Sequence, residues 1–228
     1  MAILAMTAAE FRSCREMPEK IAWMACHFSP YGTGLTNLPM TLPADSLLIL
    51  NDRTPIHGHD QKRIFQQLAQ TLEALNCCGL LLDLQRICDE AAVIAKELLK
   101  LPCPVIVSEQ YAKNLDCPVF LPPVPLHKTV QEHIAPWSGR EIWLDAALNG
   151  EVITITENGS SIAPLPPSEQ PEHPFEDEEL HCHYKVEVSE RKAVFTLHRT
   201  MDDLTQMLTE AKPLGITHAV GLYQELIR

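Results

Sequence analysis

The apolar residues of this chain fall into short unbroken runs, separated by stretches in which they recur every three or four positions. The runs Ile21–Phe28, Ser46–Leu50, Gly79–Leu84, Pro104–Val107, Pro118–Leu121 and His218–Tyr223 lack the strict alternation of a strand with one wet face. They predict strands buried on both sides, the pattern of a parallel sheet covered by helices. The intervening stretches supply those helices. Behind an N-cap at Asp60, Ile64, Leu68, Leu72 and Leu75 keep helical spacing, and Ile94, Leu98 and Leu101 do the same before Pro102, so helices are predicted over 60–75 and 89–101. A last helix from Asp202 carries Leu204, Met207, Leu208 and Ala211 on one face and closes at Gly215. A short opening helix over 7–19 stops near Pro18, and the Gly, Pro and Asn residues between Phe28 and Asp45 mark a long loop in place of a crossover helix.

The alternation lapses in the second half. Asn149-Gly150 is the strongest two-residue hairpin signal in the chain, predicted to join 141–148 to 151–156. A second antiparallel pair, Tyr184–Val188 and Ala193–Leu197, flanks the turn Ser189–Lys192, and residues 164–179, rich in proline and acid, read as an exposed loop. Six or seven strands of parallel-type burial spread over the whole chain, with no glycine-rich phosphate turn after the first, predict an α/β fold of the TIM-like (β/α) barrel kind. It is irregular or incomplete and carries a small antiparallel β insertion. One domain over 1–228 is expected, with the inserted region at about 149–197.

Composition narrows the partners. The 228 residues are 46% hydrophobic with a net charge of −12, and the pI is near 5.2 with a mean hydropathy of −0.05. So acidic a surface repels nucleic acid and anionic membranes, and neither is an expected partner. No apolar run approaches the roughly 18 residues of a membrane span, and Met1–Glu10 lacks a basic leader region, so a cytoplasmic protein is expected. The eight cysteines include no Cys-x-x-Cys pair, and Cys26, Cys78, Cys103 and Cys117 lie in or beside apolar strands, which predicts reduced, buried thiols. No cofactor and no oligomeric state are assigned.

Candidate chemistry sits where strands end, because the carboxyl ends of barrel strands form the working face. Asp83 and Gln85 share one strand face, since side chains alternate with period two. Asn51, Asp52 and Arg53 follow the Ser46–Leu50 strand in the same way. Glu109 and Glu225 each stand just past a strand and are the acid/base candidates of an active hydrolase. Tyr31, Tyr111 and Tyr223 are placed to stack on sugar rings, with His27 and His127 as further ligand-binding candidates, while Trp143 reads as core. His57-Gly58-His59 permits an alternative, a metal-dependent hydrolase, although the pair falls well beyond its strand. His181-Cys182-His183, beside the acidic loop, reads as surface.

The stretch Cys78-Gly79-Leu80-Leu81-Leu82-Asp83-Leu84-Gln85 resembles the Asp-Gly-x-Asp-x-Asp-x-Glu strand of the family 18 glycoside hydrolases, the chitinase-like TIM barrels. Ile134–Leu144 resembles the segment entering that family's seventh strand, and Glu176–Glu225 its closing stretch. The resemblance runs from about Ser46 to the C-terminus. It implies a glycan ligand at the barrel mouth, a general acid at the position of Gln85, and at Asp83 the aspartate that orients the sugar's acetamido group. The two earlier aspartates fall on Leu81 and Cys78, and Leu222 and Tyr223 stand where the family usually has tryptophan. Gln85 has no proton of suitable pKa to give a leaving group, so the expectation is a degenerate member that binds a glycan or related small ligand.

Overall fold

The computed structural model describes residues 2–56, 58, 60–165 and 175–227. The chain opens with β1 (Ile3–Met6), α1 (Ala8–Ser13), β2 (Ile21–Phe28), β3 (Leu35–Thr36), β4 (Leu47–Asn51), α2 (Gln61–Ala74), β5 (Gly79–Asp83) and α3 (Asp89–Leu98). It continues with β6 (Val105–Ser108), α4 (Glu109–Ala112), β7 (Val119–Leu121), α5 (Val130–Ile134) and β8 (Ile142–Asp145). Then come β9 (Gly150–Thr156), β10 (Gly159–Pro164), β11 (Phe175–Asp177), β12 (Cys182–Ser189) and β13 (Lys192–His198), followed by α6 (Met201–Ala211), β14 (His218–Leu222) and α7 (Tyr223–Leu226).

Eight of these strands form one parallel sheet in the order β1-β2-β4-β5-β6-β7-β8-β14, and β1 pairs with both β2 and β14, so the sheet closes into a barrel. The short β3 adds antiparallel to β2 outside the ring. Closure explains the unbroken apolar runs. Ala5, Ala22, Leu47, Ile49, Leu81, Ile106, Phe120, Trp143 and Val220 point inward and fill the lumen. Their strand neighbours Leu48, Leu50, Leu80 and Leu82 point outward against Ile64, Leu68 and Leu72 of α2 and Ile94 and Leu98 of α3. Both faces are dry, so alternation is lost. Asp60 caps α2 by accepting from the backbone amides of Lys62 and Arg63.

Three expectations need correction. The barrel has eight strands and starts before Ile21: β1 is an apolar run of only four residues, too short for its period to mark it as a strand. Its Ala5 suffices because it lies between two neighbours in a lumen already occupied by larger side chains. The opening helix is accordingly shorter than 7–19, held to Ala8–Ser13 by a Thr7/Glu10 capping box.

Asn149-Gly150 is not a hairpin turn. β8 pairs with β7 and β14 in the barrel, whereas β9 pairs with β10 and β13 in a separate sheet of order β10-β9-β13-β12-β11. Gly150 is needed there for close approach, since a Cβ would come within 2.9 Å of the Leu165 Cβ.

His181 and His183 are not on a surface loop. His181 is 3% exposed and its Nε2 lies 3.0 Å from Glu210 Oε2; His183 Nδ1 lies 2.9 Å from Asp203 Oδ2. Both root the second sheet on α6.

The second sheet is amphipathic. Phe175, Tyr184, Val186, Val188, Phe195, Ile153, Ile155 and Ile162 register on one face, while the other carries residues such as Thr154, Thr196, Lys185 and Glu187. Arg199, 1% exposed, ties this sheet to the barrel. Its guanidinium donates to the carbonyls of His181, Leu180 and Val124 and to Asn149 Oδ1, at 3.0–3.2 Å. Removing it strands buried acceptors from three segments. The Arg199→Met variant should therefore lose about 2–5 kcal/mol of stability, read as a lower midpoint in urea denaturation; an unchanged midpoint contradicts the tie.

Candidate functional site

At the carboxyl end of the barrel the lumen opens into a cavity of about 600 Å³. Its floor is apolar, built from Ala5, Met24, Ile49, Leu81, Phe120, Val220 and Leu222, and its wall carries Asn51, Arg53, Asp83, Gln85, Asp145, His27 and Arg12. A smaller depression of about 180 Å³ adjoins it, sharing Gln85, Phe120 and Asp145 and adding Ser108, Glu109 and Gln110. Gln85 and Asp145 thus stand on the divide between the two hollows.

Strand periodicity sets these positions. Asp83 follows Leu81 on the inward face of β5, Asn51 follows Ile49 on β4, and Asp145 follows Trp143 on β8. Gln85, two places beyond Asp83, donates its amide to Asp83 Oδ1. Asn51 Nδ2 donates to the Met24 carbonyl at 2.9 Å, and its Oδ1 accepts the Arg53 amide at 3.2 Å, so this side chain fixes the rim. Asp52 is buried behind the wall, where Oδ2 accepts the Arg86 amide at 2.6 Å.

The electrostatics are those of crowded carboxyls. Burial pushes Asp145 up from the ordinary 3.8 to about 7, with Asp83 and Glu225 adding like-charge repulsion. Burial also raises Asp83; the Gln85 amide opposes the rise and Asp52 adds to it. Among the described residues, Glu225 Oε2 is buried without a hydrogen-bond partner, and none donates to the Asp145 carboxyl. A pair of carboxyls whose pKa values are pushed upward at a cavity wall is the arrangement that acid/base chemistry uses.

The structure brings Asp83, Gln85, Asn51, Arg53 and His27 to the main cavity and puts Glu109 in the adjoining depression. Other candidates lie apart. Tyr111 Oη donates to the Arg86 carbonyl and accepts the Cys88 amide, so it pins the loop after β5. Tyr31 is 85% exposed and off the cavity wall. Tyr223 Oη faces Cys14 Sγ at 3.7 Å. His127 Nδ1 lies 2.7 Å from Glu151 Oε2, beside the second sheet. His57 and His59 fall outside the described residues, among which no group of three or more His, Cys, Asp or Glu side chains is arranged to hold a metal. Trp143 is buried in the lumen and stacks on His218. Of the cysteines expected to be buried, Cys26 and Cys117 are, whereas Cys78 is exposed and Cys103 half-buried; the thiols of Cys26 and Cys182 are pushed up to about 12 by burial, which leaves them inert as nucleophiles at neutral pH.

Sequence reasoning missed Asp145 and Arg12. Asp145 ends the run Ile-Trp-Leu-Asp just as Asp83 ends Leu-Leu-Leu-Asp, but extending the strand to Leu148 buried that signal inside a supposed hairpin. Arg12 had no visible role without β1.

A closed eight-stranded parallel barrel with carboxyls at its mouth defines a class of fold that many enzymes share. No family model matches the sequence, and no curated protein matches it. Solved structures do. An N-acetylglucosaminidase of glycoside hydrolase family 18 from Paenibacillus barengoltzii aligns with a TM-score of 0.63 at 10% identity, over 98% of this chain and 96% of that one. A chitinase from Chromobacterium violaceum aligns at 0.56 and 9% identity, over 97% and 93%. The spore cortex-lytic enzyme SleL of Bacillus cereus aligns at 0.57 and 11%, over 96% and 69%. In fold the chain resembles the family 18 chitinase-like barrels.

Because the folded-state pKa of Asp145 lies above its unfolded value, the folded protein binds the extra proton. Stability is therefore fully present below about pH 4 and declines as pH rises toward 7. An Asp145→Asn variant should be more stable than wild type at pH 8 by about 1–3 kcal/mol and lose that advantage at pH 4. Thermal melts at the two pH values check this, and a pH-independent difference contradicts it.

Proposed function

We propose that the barrel mouth binds a glycan built on N-acetylated sugars and that the family's acid step is absent. The observation that carries this reading is Gln85: it occupies the acid position, and its amide is already engaged with Asp83, the residue placed to orient an acetamido group. An amide cannot protonate a leaving oxygen, a contribution of about 10²- to 10⁴-fold. The apolar floor offers sugar-ring faces a dry surface, and Asp83, Gln85 and Asn51 offer hydroxyls and amides polar partners. Eight free cysteines accord with a reducing, cytoplasmic setting, which belongs to the same proposal.

One observation favours a second reading, a hydrolase with rewired acid/base residues. Asp145 holds its proton to about pH 7 and shares the divide with Gln85, so it is placed to give a proton where Gln85 cannot. Glu109 lines the same depression as Asp145, and Glu225 is close enough to raise its pKa by like-charge repulsion, so these are the partner carboxylates of that reading. The metal-dependent alternative through His57 and His59 has no such observation behind it.

The test pairs catalysis with binding. Wild type should release no aglycone from a fluorogenic N-acetylglucosaminide above the uncatalysed rate, yet bind chito-oligosaccharides by calorimetry, with binding weakened about tenfold or more in Asp83→Ala. Turnover that vanishes in Asp145→Asn, Glu109→Gln or Glu225→Gln moves the conclusion to the second reading. Absence of binding removes both.

A further inference from the structure

Three arginines of this protein are bonded to its backbone, and two others line the mouth. Arg140 donates to the carbonyls of Ala112, Leu115 and Cys117, Arg199 to three carbonyls and an amide oxygen, and Arg86 to the Arg53 carbonyl. These guanidiniums hold backbone together. Arg12 and Arg53 line the mouth cavity, and neither guanidinium makes a hydrogen bond or ion pair among the described residues. In a chain of net charge −12, nearby carboxylates could have neutralised both.

Their placement is one-sided. Arg12 comes from α1, which follows β1, and Arg53 from the segment after β4; β1 and β4 flank β2 in the ring. The carboxyl Asp83 comes from β5, the strand next to β4, where it is the register partner of Asn51, and Asp145 comes from β8, which β14 separates from β1. The two guanidiniums, both exposed, thus stand over the β1, β2 and β4 side of the mouth, with Asp83 on the next strand round. A guanidinium is a planar fork of donors matched to a carboxylate. The chain's overall negative charge is screened beyond about 8–10 Å at physiological salt, whereas a ligand inside the cavity meets the local guanidiniums at close range.

We infer that the ligand of this mouth is a carboxylated sugar, its carboxylate held by Arg12 and Arg53 while its neutral amide and hydroxyl groups face Asp83 and Gln85. The inference rests on the glycan-binding reading above and adds the ligand's charge. The two probes are a tetrasaccharide of alternating glucuronic acid and N-acetylglucosamine and the neutral tetramer of N-acetylglucosamine, each titrated calorimetrically into the full-length chain. The acidic probe should bind about tenfold or more tighter, as charge-assisted hydrogen bonds require. That preference should shrink on raising salt from about 0.05 to about 0.5 M, where the screening length falls toward a few ångström.

The double variant Arg12→Gln, Arg53→Gln should bind both probes alike, and Arg12→Lys, Arg53→Lys should keep part of the preference. Because neither side chain is bonded within the fold, thermal melts of both variants should match wild type. Equal affinity for the two probes in wild type, or a preference that survives the Gln variant, overturns the inference and leaves glycan binding standing. Binding of neither probe overturns both.

Discussion

Everything at the mouth depends on β1 pairing with two strands at once. Without that closure the sheet would have two bare edges, and the carboxyl ends of β5, β8 and β14 would lie along an open arc instead of around a ring. Closure depends in turn on how the lumen is filled. Phe120 and Trp143 occupy an interior to which β1 and β2 contribute Ala5 and Ala22, so large and small side chains share a close-packed core. The space above this plug is the cavity, and the like charges of Asp83 and Asp145 are neighbours only because the ring holds them there.

How much of this was legible in the sequence follows from how strongly each element is over-determined. β4, β5, α2 and α3 are written twice, once in apolar runs and once in caps and helical spacing, and their ends were readable within a few residues. β1 was not, because an apolar run of four residues is too short for its period to distinguish strand from helix. The Asn149-Gly150 pair illustrates the opposite hazard. Local turn chemistry was present, but Asn149 serves Arg199 and the Val124 carbonyl and Gly150 serves a close contact with Leu165, so tertiary demands consumed residues that in isolation spell a hairpin.

The candidate site was half visible for the same reason. Asp83 and Gln85 stand out because a polar end follows a leucine run. Asp145 obeys the identical rule on β8, and what disguised it was an assumed continuation of the strand. Sequence could not foretell that the two aspartates would share one wall, since 61 positions separate them from each other and only the ring order brings β5 and β8 to a common cavity. The tyrosines were misjudged for a different reason. Tyr111 looked like a platform for sugars, yet its hydroxyl is consumed by the loop that follows β5.

The second sheet has a consequence for the molecule in bulk solution. One of its faces presents Phe175, Val188, Ile155 and Ile162, each more than two-fifths exposed, and the strand β10 forms an edge of that sheet. Such a surface attracts its own kind. At neutral pH the surplus of twelve negative charges gives every molecule the same sign and opposes their association. Near the pI of about 5.2 that mutual repulsion vanishes, so the acidic composition acts as a colloidal counterweight to one greasy wall, and the protein's solubility minimum falls at mild acidity.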